Sequence, residues 1–168
     1  MGVNSGLLVH YYKNKEEMIF ALVVQLAENY ANIYLAKMNE YDTPQERMDN
    51  LLTTFFEVDW TEHGDAAVFW ACYSLSFRND RVKDQFRAIY EGFRNLLAYE
   101  IQLYRGAGIS KVKDPFKAAD IIISMLEGVS YYNNVIGPAT DIADTFQYFQ
   151  AAATNLLVNG EAPQVKTK

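Results

Sequence analysis

The chain of 168 residues has the length of one domain, is 50% hydrophobic and 14% aromatic, and is therefore too apolar for a disordered polymer. Its net charge of −6 argues against nonspecific nucleic-acid binding, which requires clustered Lys and Arg. The single cysteine, Cys72, can form no internal disulfide, and no secretory signal pattern opens the chain, so we expect a cytoplasmic protein. The densest apolar stretch, Met18 to Ala27, covers only half of the ~20 residues of a membrane span, and we expect no membrane partner.

Helix start signals divide the first part of the chain. Asn14 with Glu17 is typical of a capping box and predicts a long helix to about Asn39. Thr43-Pro44-Gln45-Glu46 combines an N-cap, a proline at the first helical position and the reciprocal glutamate. This second pattern predicts a helix to about Trp60.

The later helices are bounded by the same chemistry. The stretch from Ala66 to Phe77 is apolar almost all round, which predicts a helix buried on several sides. Three more helices follow, at Asn79-Asp80 to Gly106, at Asp114-Pro115 to Gly137-Pro138, and from about Thr140 to Asn159-Gly160. No stretch alternates with period two, so the predicted fold class is all-α.

Residues Gly2 to Met18, GVNSGLLVHYYKNKEEM, resemble the end of the helix-turn-helix of the tetracycline-repressor-like (TetR) family. The resemblance implies that Asn4, Ser5 and Gly6 face the major groove at the start of a recognition helix. It also implies that His10, Tyr11 and Lys15 contact the phosphate backbone, which positions a protein without reading sequence.

The resemblance divides the chain into a remnant of the DNA-binding domain at 1–13, an effector-binding and dimerisation domain at 14–160, and a disordered tail at 161–168. Only Met1 precedes Gly2, so the first two helices of the family pattern are missing here. We therefore expect operator DNA to be a partner only of an N-terminally complete form. The implied function is that of a ligand-responsive transcriptional regulator, most simply a repressor. The alternative is a helical dimeric carrier or interaction module for a small hydrophobic molecule, without DNA binding.

The dimer implied by the resemblance pairs the last two helices with their copies in a four-helix bundle. Small residues permit close helix approach and large ones supply contact area. The expected interface residues are Ser124, Gly128, Phe146, Phe149, Ala153 and Leu156.

A small apolar or aromatic effector is expected in a cavity among the central helices. Glu127 interrupts an apolar run, so it either faces water or lines that cavity. The expected lining residues are Phe55, Trp70, Tyr73, Phe93, Met125, Glu127 and Tyr132, each of which core packing would also explain.

Enzymatic function is not expected. The two histidines, His10 and His63, and the apolar surroundings of Cys72 do not favour a nucleophilic triad, and no phosphate-binding loop is present in the sequence. A short acidic loop could supply hard ligands to a divalent cation, but a solvated helix connection with acids at a helix N-terminus explains it better. Its residues are Asp59, Glu62, His63 and Asp65. We expect no metal and no cofactor.

Overall fold

The computed structural model describes residues 14–57, 66–136 and 142–160, which contain six helices and no strand. The all-α fold class is thus confirmed in the part of the chain that the structure describes. The helices are α1 (Lys15–Met38), α2 (Pro44–Glu57), α3 (Ala66–Leu75), α4 (Asp80–Gly106), α5 (Pro115–Ile136) and α6 (Ile142–Asn159).

Several predicted features lie outside the described residues. They are the tail at 161–168, the acidic loop with Asp59, Glu62, His63 and Asp65, and the DNA-contact residues Asn4, Ser5, Gly6, His10 and Tyr11. Lys15 begins α1, but its side chain also lies outside the description.

The predicted helix caps are confirmed at four helices. The Asn14 side-chain oxygen accepts a hydrogen bond from the Glu17 amide at 2.9 Å. At α2, the Glu46 amide donates to the Thr43 hydroxyl at 3.2 Å and the Thr43 amide donates to the Glu46 carboxylate at 3.0 Å, which makes a complete capping box. Asn79 accepts from the Val82 amide before α4, and Asp114 accepts from the amides of Phe116 and Lys117 before α5.

Helix α3 departs from the prediction in length and burial. It ends at Leu75, not Phe77, because the next residues form turns with the Ser76 amide on the Tyr73 carbonyl and the Arg78 amide on the Leu75 carbonyl. Phe77 is 75% exposed, and Cys72 is the only buried side chain described within α3. An apolar composition on all sides therefore did not place this helix in the centre of the core.

The chain, which the sequence predicts to contain one domain over 14–160, forms two compact units. Unit 1 comprises the described parts of Met1–Leu35 and Asp59–Glu91. Its core contains Val23 of α1, Cys72 of α3, and Val82 and Phe86 of α4, surrounded by half-buried apolar side chains. Burial raises the pKa of the Cys72 thiol, because the thiolate loses hydration there.

Unit 2 comprises Ala36–Val58 and the described part of Gly92–Lys168. Helix α6 packs against α5 and α2. The unit's fully buried side chains, which come from every helix in it, include Met38, Leu51, Leu97, Ile101, Tyr104, Ile122, Val129 and Leu157.

Candidate functional site

A groove between α5 and α6 in unit 2 brings together residues that the sequence assigned to two different roles. The groove has a volume of about 410 Å³ and is open to solvent. Its wall contains Ser124 and Phe149, expected at a dimer interface, and Met125, expected at an effector site. Asp120 and Ile121 complete the lining.

The groove continues along α5 as an exposed stripe. Gly128, Tyr131, Tyr132 and Val135 follow Ser124 and Met125 at spacings of three and four residues, which places all of them on one helix face. Tyr131, Tyr132 and Val135 are 56%, 50% and 61% exposed, and a Cβ on Gly128 would meet no heavy atom within 4 Å. Large apolar side chains in such numbers on one exposed face are typical of an interaction surface. We call the face from Ile121 to Val135 the α5 stripe.

Arg94 of α4 holds the start of the α5 stripe in place. Its guanidinium donates two hydrogen bonds to Asp120, at 2.5 and 3.1 Å, and lies 4.8 Å from the centre of the Phe116 ring. The bidentate geometry fixes orientation as well as distance. The sequence analysis did not identify this contact, because nothing in the local pattern links residues so far apart along the chain.

The six expected interface residues divide into two groups. Ser124 and Gly128 are exposed on α5, and Phe146 and Phe149 are half-buried on α6. Ala153 and Leu156 are instead 0% and 4% exposed, because this part of α6 packs into the core of its own protomer. Ala153 and Leu156 therefore expose almost no surface of the protomer, and the assignment of the six residues to a dimer interface stays a prediction.

The expected effector residues are divided between unit 1 and unit 2. Phe55 and Phe93 meet in unit 2 with ring centres 6.3 Å apart. Trp70 and Tyr73 meet edge to face in unit 1, at 5.8 Å. Met125 and Tyr132 lie on the α5 stripe, and Glu127 is half-buried elsewhere on α5 and has an interaction partner.

A buried polar cluster in unit 2 was also missed by the sequence analysis. Arg47 of α2 pairs with Glu100 of α4, whose side chain is 3% exposed. The Tyr104 hydroxyl donates to the same carboxylate at 3.1 Å, and Arg47 also donates to the Met38 carbonyl at the end of α1, at 2.6 Å. The signal that could have revealed it is the position of Glu100 within the apolar run Leu96 to Leu103. Within the described ranges, no three His, Cys, Asp or Glu side chains lie close enough to hold a metal ion.

Comparison with known proteins identifies the family of the chain. Residues 42–158 match the family profile described as "Tetracyclin repressor-like, C-terminal domain". The chain belongs to the tetracyclin repressor-like family. This match confirms the family that the N-terminal resemblance indicated, and it covers a different region of the chain.

Two relatives support the family membership. Over 82 residues the chain is 29% identical to the HTH-type transcriptional regulator BetI of Rhizobium meliloti (strain 1021), and the match covers 49% of this chain and 40% of that protein. The fold resembles a protein from Saccharomonospora viridis, assigned as a transcriptional regulator and solved in complex with choline, with a TM-score of 0.80 and 12% identity. That alignment covers 94% of this chain and 82% of the other.

The first helix is unusually apolar. In the described part of the chain, Glu17–Met38 is the one helix long and apolar enough to cross a membrane by length and composition alone. The candidate span is thus longer than Met18 to Ala27. A core helix of a soluble protein and a signal sequence near the N-terminus satisfy the same criterion, so a single helix of this kind is weak evidence for a membrane span.

Proposed function

We propose that this chain is the effector-sensing and dimerisation part of a ligand-responsive transcriptional repressor in the cytoplasm. The observation that carries the proposal is the match of residues 42–158 to the C-terminal domain of the tetracyclin repressor-like family. The α5 stripe supports the dimerisation half of the proposal, because a second copy would cover its exposed Tyr131, Tyr132 and Val135.

The proposed effector is a small apolar or aromatic molecule. Choline, a quaternary ammonium cation outside that class, is the first single compound to test. The Saccharomonospora viridis protein was solved with choline, and aromatic side chains bind quaternary ammonium groups through their ring faces. Unit 1 contains the edge-to-face rings of Phe69, Trp70 and Tyr73, and Phe55 and Phe93 offer a second aromatic pair in unit 2. Binding would shift α1 between two poses, which would change the spacing of two recognition helices in the dimer.

Operator DNA is the proposed partner of a form that carries the complete helix-turn-helix. In that form, Asn4, Ser5 and Gly6 would approach the bases, while His10, Tyr11 and Lys15 would contact phosphates.

The proposal is tested by ligand titration in a Trp60→Phe background, where Trp70 is the remaining tryptophan. A true effector changes Trp70 fluorescence and raises the melting temperature, because it binds the folded state alone. The same compound must release an operator from the extended form. A ligand that binds without affecting operator release would favour the carrier alternative, and the absence of any stabilising ligand in a broad library would favour a pure interaction module.

A further inference from the structure

A second depression in unit 2 has a positively charged rim. It measures about 520 Å³ and lies between the end of α4 and the connection to α5. Arg105, Lys111 and Lys113 provide its charged side chains, and Gln102, Gly106, Ser110 and Val112 complete its lining. We call this surface the basic depression. It shares no lining residue with the groove beside the α5 stripe.

The backbone beneath the two lysines is held firmly. The Ser110 hydroxyl, in a residue that is 8% exposed, donates to the Leu157 carbonyl at 2.6 Å, and the Lys111 amide donates to the Val158 carbonyl at 3.1 Å. The Val112 side chain between the lysines is 3% exposed. A connection anchored in this way loses little conformational entropy when its exposed side chains bind a ligand.

The three cations of the basic depression have no ion-pair partner within the described ranges. Most other described cations are engaged, as the pairs Lys37–Glu40, Arg47–Glu100, Arg87–Asp84, Arg94–Asp120 and Lys117–Asp114 show. The nearby Asp114 carboxylate accepts from the amides of Phe116 and Lys117 and also pairs with Lys117, at 3.9 Å. Asp114, the acidic residue closest in sequence to these cations, therefore already caps α5.

Helix electrostatics explain only one of the three charges. Arg105 lies in the last turn of α4, where a cation is favourable. Lys111 and Lys113 lie just before the N-terminus of α5, where the helix dipole disfavours cations and favours anions. Asp114 already caps this helix end, but the three cations that line the basic depression still repel one another, and an anion bound among them would reduce that repulsion.

We propose that the basic depression binds a phosphate-type oxyanion, either free or carried by a small organic molecule. Arg105 offers a planar pair of donors and the two lysines offer mobile ammonium groups. The volume of about 520 Å³ falls within the ordinary range of small-molecule pockets. This proposal does not depend on the effector or dimer proposals, because it uses other residues.

The test is calorimetric titration of the whole chain at fixed low ionic strength with inorganic phosphate, adenosine monophosphate and a mixed-sequence DNA duplex. The variants are Lys111→Gln, Lys113→Gln and Arg105→Gln. Lys83→Gln is the matched control, because Lys83 is also exposed and has no ion-pair partner in the described ranges, but it lies in unit 1. All four variants change exposed side chains, and circular dichroism checks that they remain folded.

We expect saturable phosphate or adenosine monophosphate binding that weakens about tenfold or more in each depression variant and is unchanged in Lys83→Gln. Equal affinities for the two probes would identify free phosphate as sufficient, whereas tighter adenosine monophosphate binding would indicate an organic carrier. No binding by either probe, an equal loss in Lys83→Gln, or binding of the duplex alone would overturn the proposal.

Discussion

At the scale of single residues, Glu100 shows how a buried charge organises unit 2. Its carboxylate lies within an otherwise apolar face of α4, where an unpaired charge would be costly. Arg47 and the Tyr104 hydroxyl compensate it, and Arg47 also contacts the last carbonyl of α1. The cluster thus joins three helices through one guanidinium.

We expect Arg47→Met to lower the free energy of unfolding by about 3 kcal/mol, because Glu100 then remains buried without a counter-charge. Urea denaturation measures the effect. The double variant Arg47→Met with Glu100→Leu should recover much of the loss. Arg87→Ala is the matched control, since the Arg87–Asp84 pair is exposed and should contribute less than about 1 kcal/mol. Equal losses in Arg47→Met and Arg87→Ala would contradict this account.

The capping box of α2 makes a prediction about pH. Hydrogen bonds from Thr43 lower the pKa of Glu46 below its usual value. A carboxyl whose pKa is lowered on folding stabilises the protein above its unfolded pKa, and this contribution disappears as the pH falls through the folded pKa. Glu46→Gln should therefore lower the melting temperature at pH 7, and this difference should shrink as the pH falls through the lowered pKa of Glu46. A difference that persists in acid would assign the effect to helix propensity instead of ionisation.

At the scale of elements, the glycines of the structure have opposite roles. Gly92 lies within α4, and an added Cβ there would meet no heavy atom within 4 Å. Gly160 has a φ of 68° at the end of α6, and an added Cβ would lie 2.3 Å from the Lys111 carbonyl oxygen. Gly92 lowers the stability of α4, and no neighbouring atom requires a glycine there. Gly160 instead permits a close approach of two backbone segments.

Replacing Gly92 by Ala should therefore raise the free energy of unfolding by about 0.5–1 kcal/mol, as expected for a helix interior. Gly160→Ala should lower it by more than that amount, because the new side chain would be both strained and obstructed. Chemical denaturation of the two variants gives both values. Destabilisation by Gly92→Ala would mean that α4 requires local flexibility at this position.

Local chemistry explains why the helix boundaries were predictable and the sites less so. Each cap lies within a few residues of the amide it accepts from, as at Asn14 and Thr43, so its pattern is visible in a short window. Packing partners are distant in sequence, as with Arg94 and Asp120. The apolar residues Ala153 and Leu156 have the same local pattern in a core as in an interface, and only the fold shows that they are buried within one protomer.

At the scale of the whole molecule, the α5 stripe is the surface that we propose to pair with a second copy of the chain. Its exposed aromatic residues and the adjoining groove form a continuous surface in unit 2, and an isolated protomer would leave it in water. Two stripes packed about a twofold axis would cover each other. Gly128 and Ser124 of the α5 stripe are small, and they would let the two α5 helices approach closely.

We predict a dimer at micromolar concentration and a monomer for Gly128→Arg, measured by sedimentation velocity. Position 128 is exposed and an added Cβ there would meet no heavy atom within 4 Å, so the variant should fold, but a twofold interface would bring two arginine charges together without compensation. Gly92→Arg is the matched control, because Gly92 is also an exposed helical glycine with no atom within 4 Å of an added Cβ, yet it belongs to α4 and is not part of the α5 stripe. The control should remain dimeric. If both variants stay dimeric, the interface lies elsewhere; if the parent chain is a monomer, the aromatic residues of α5 require a different partner.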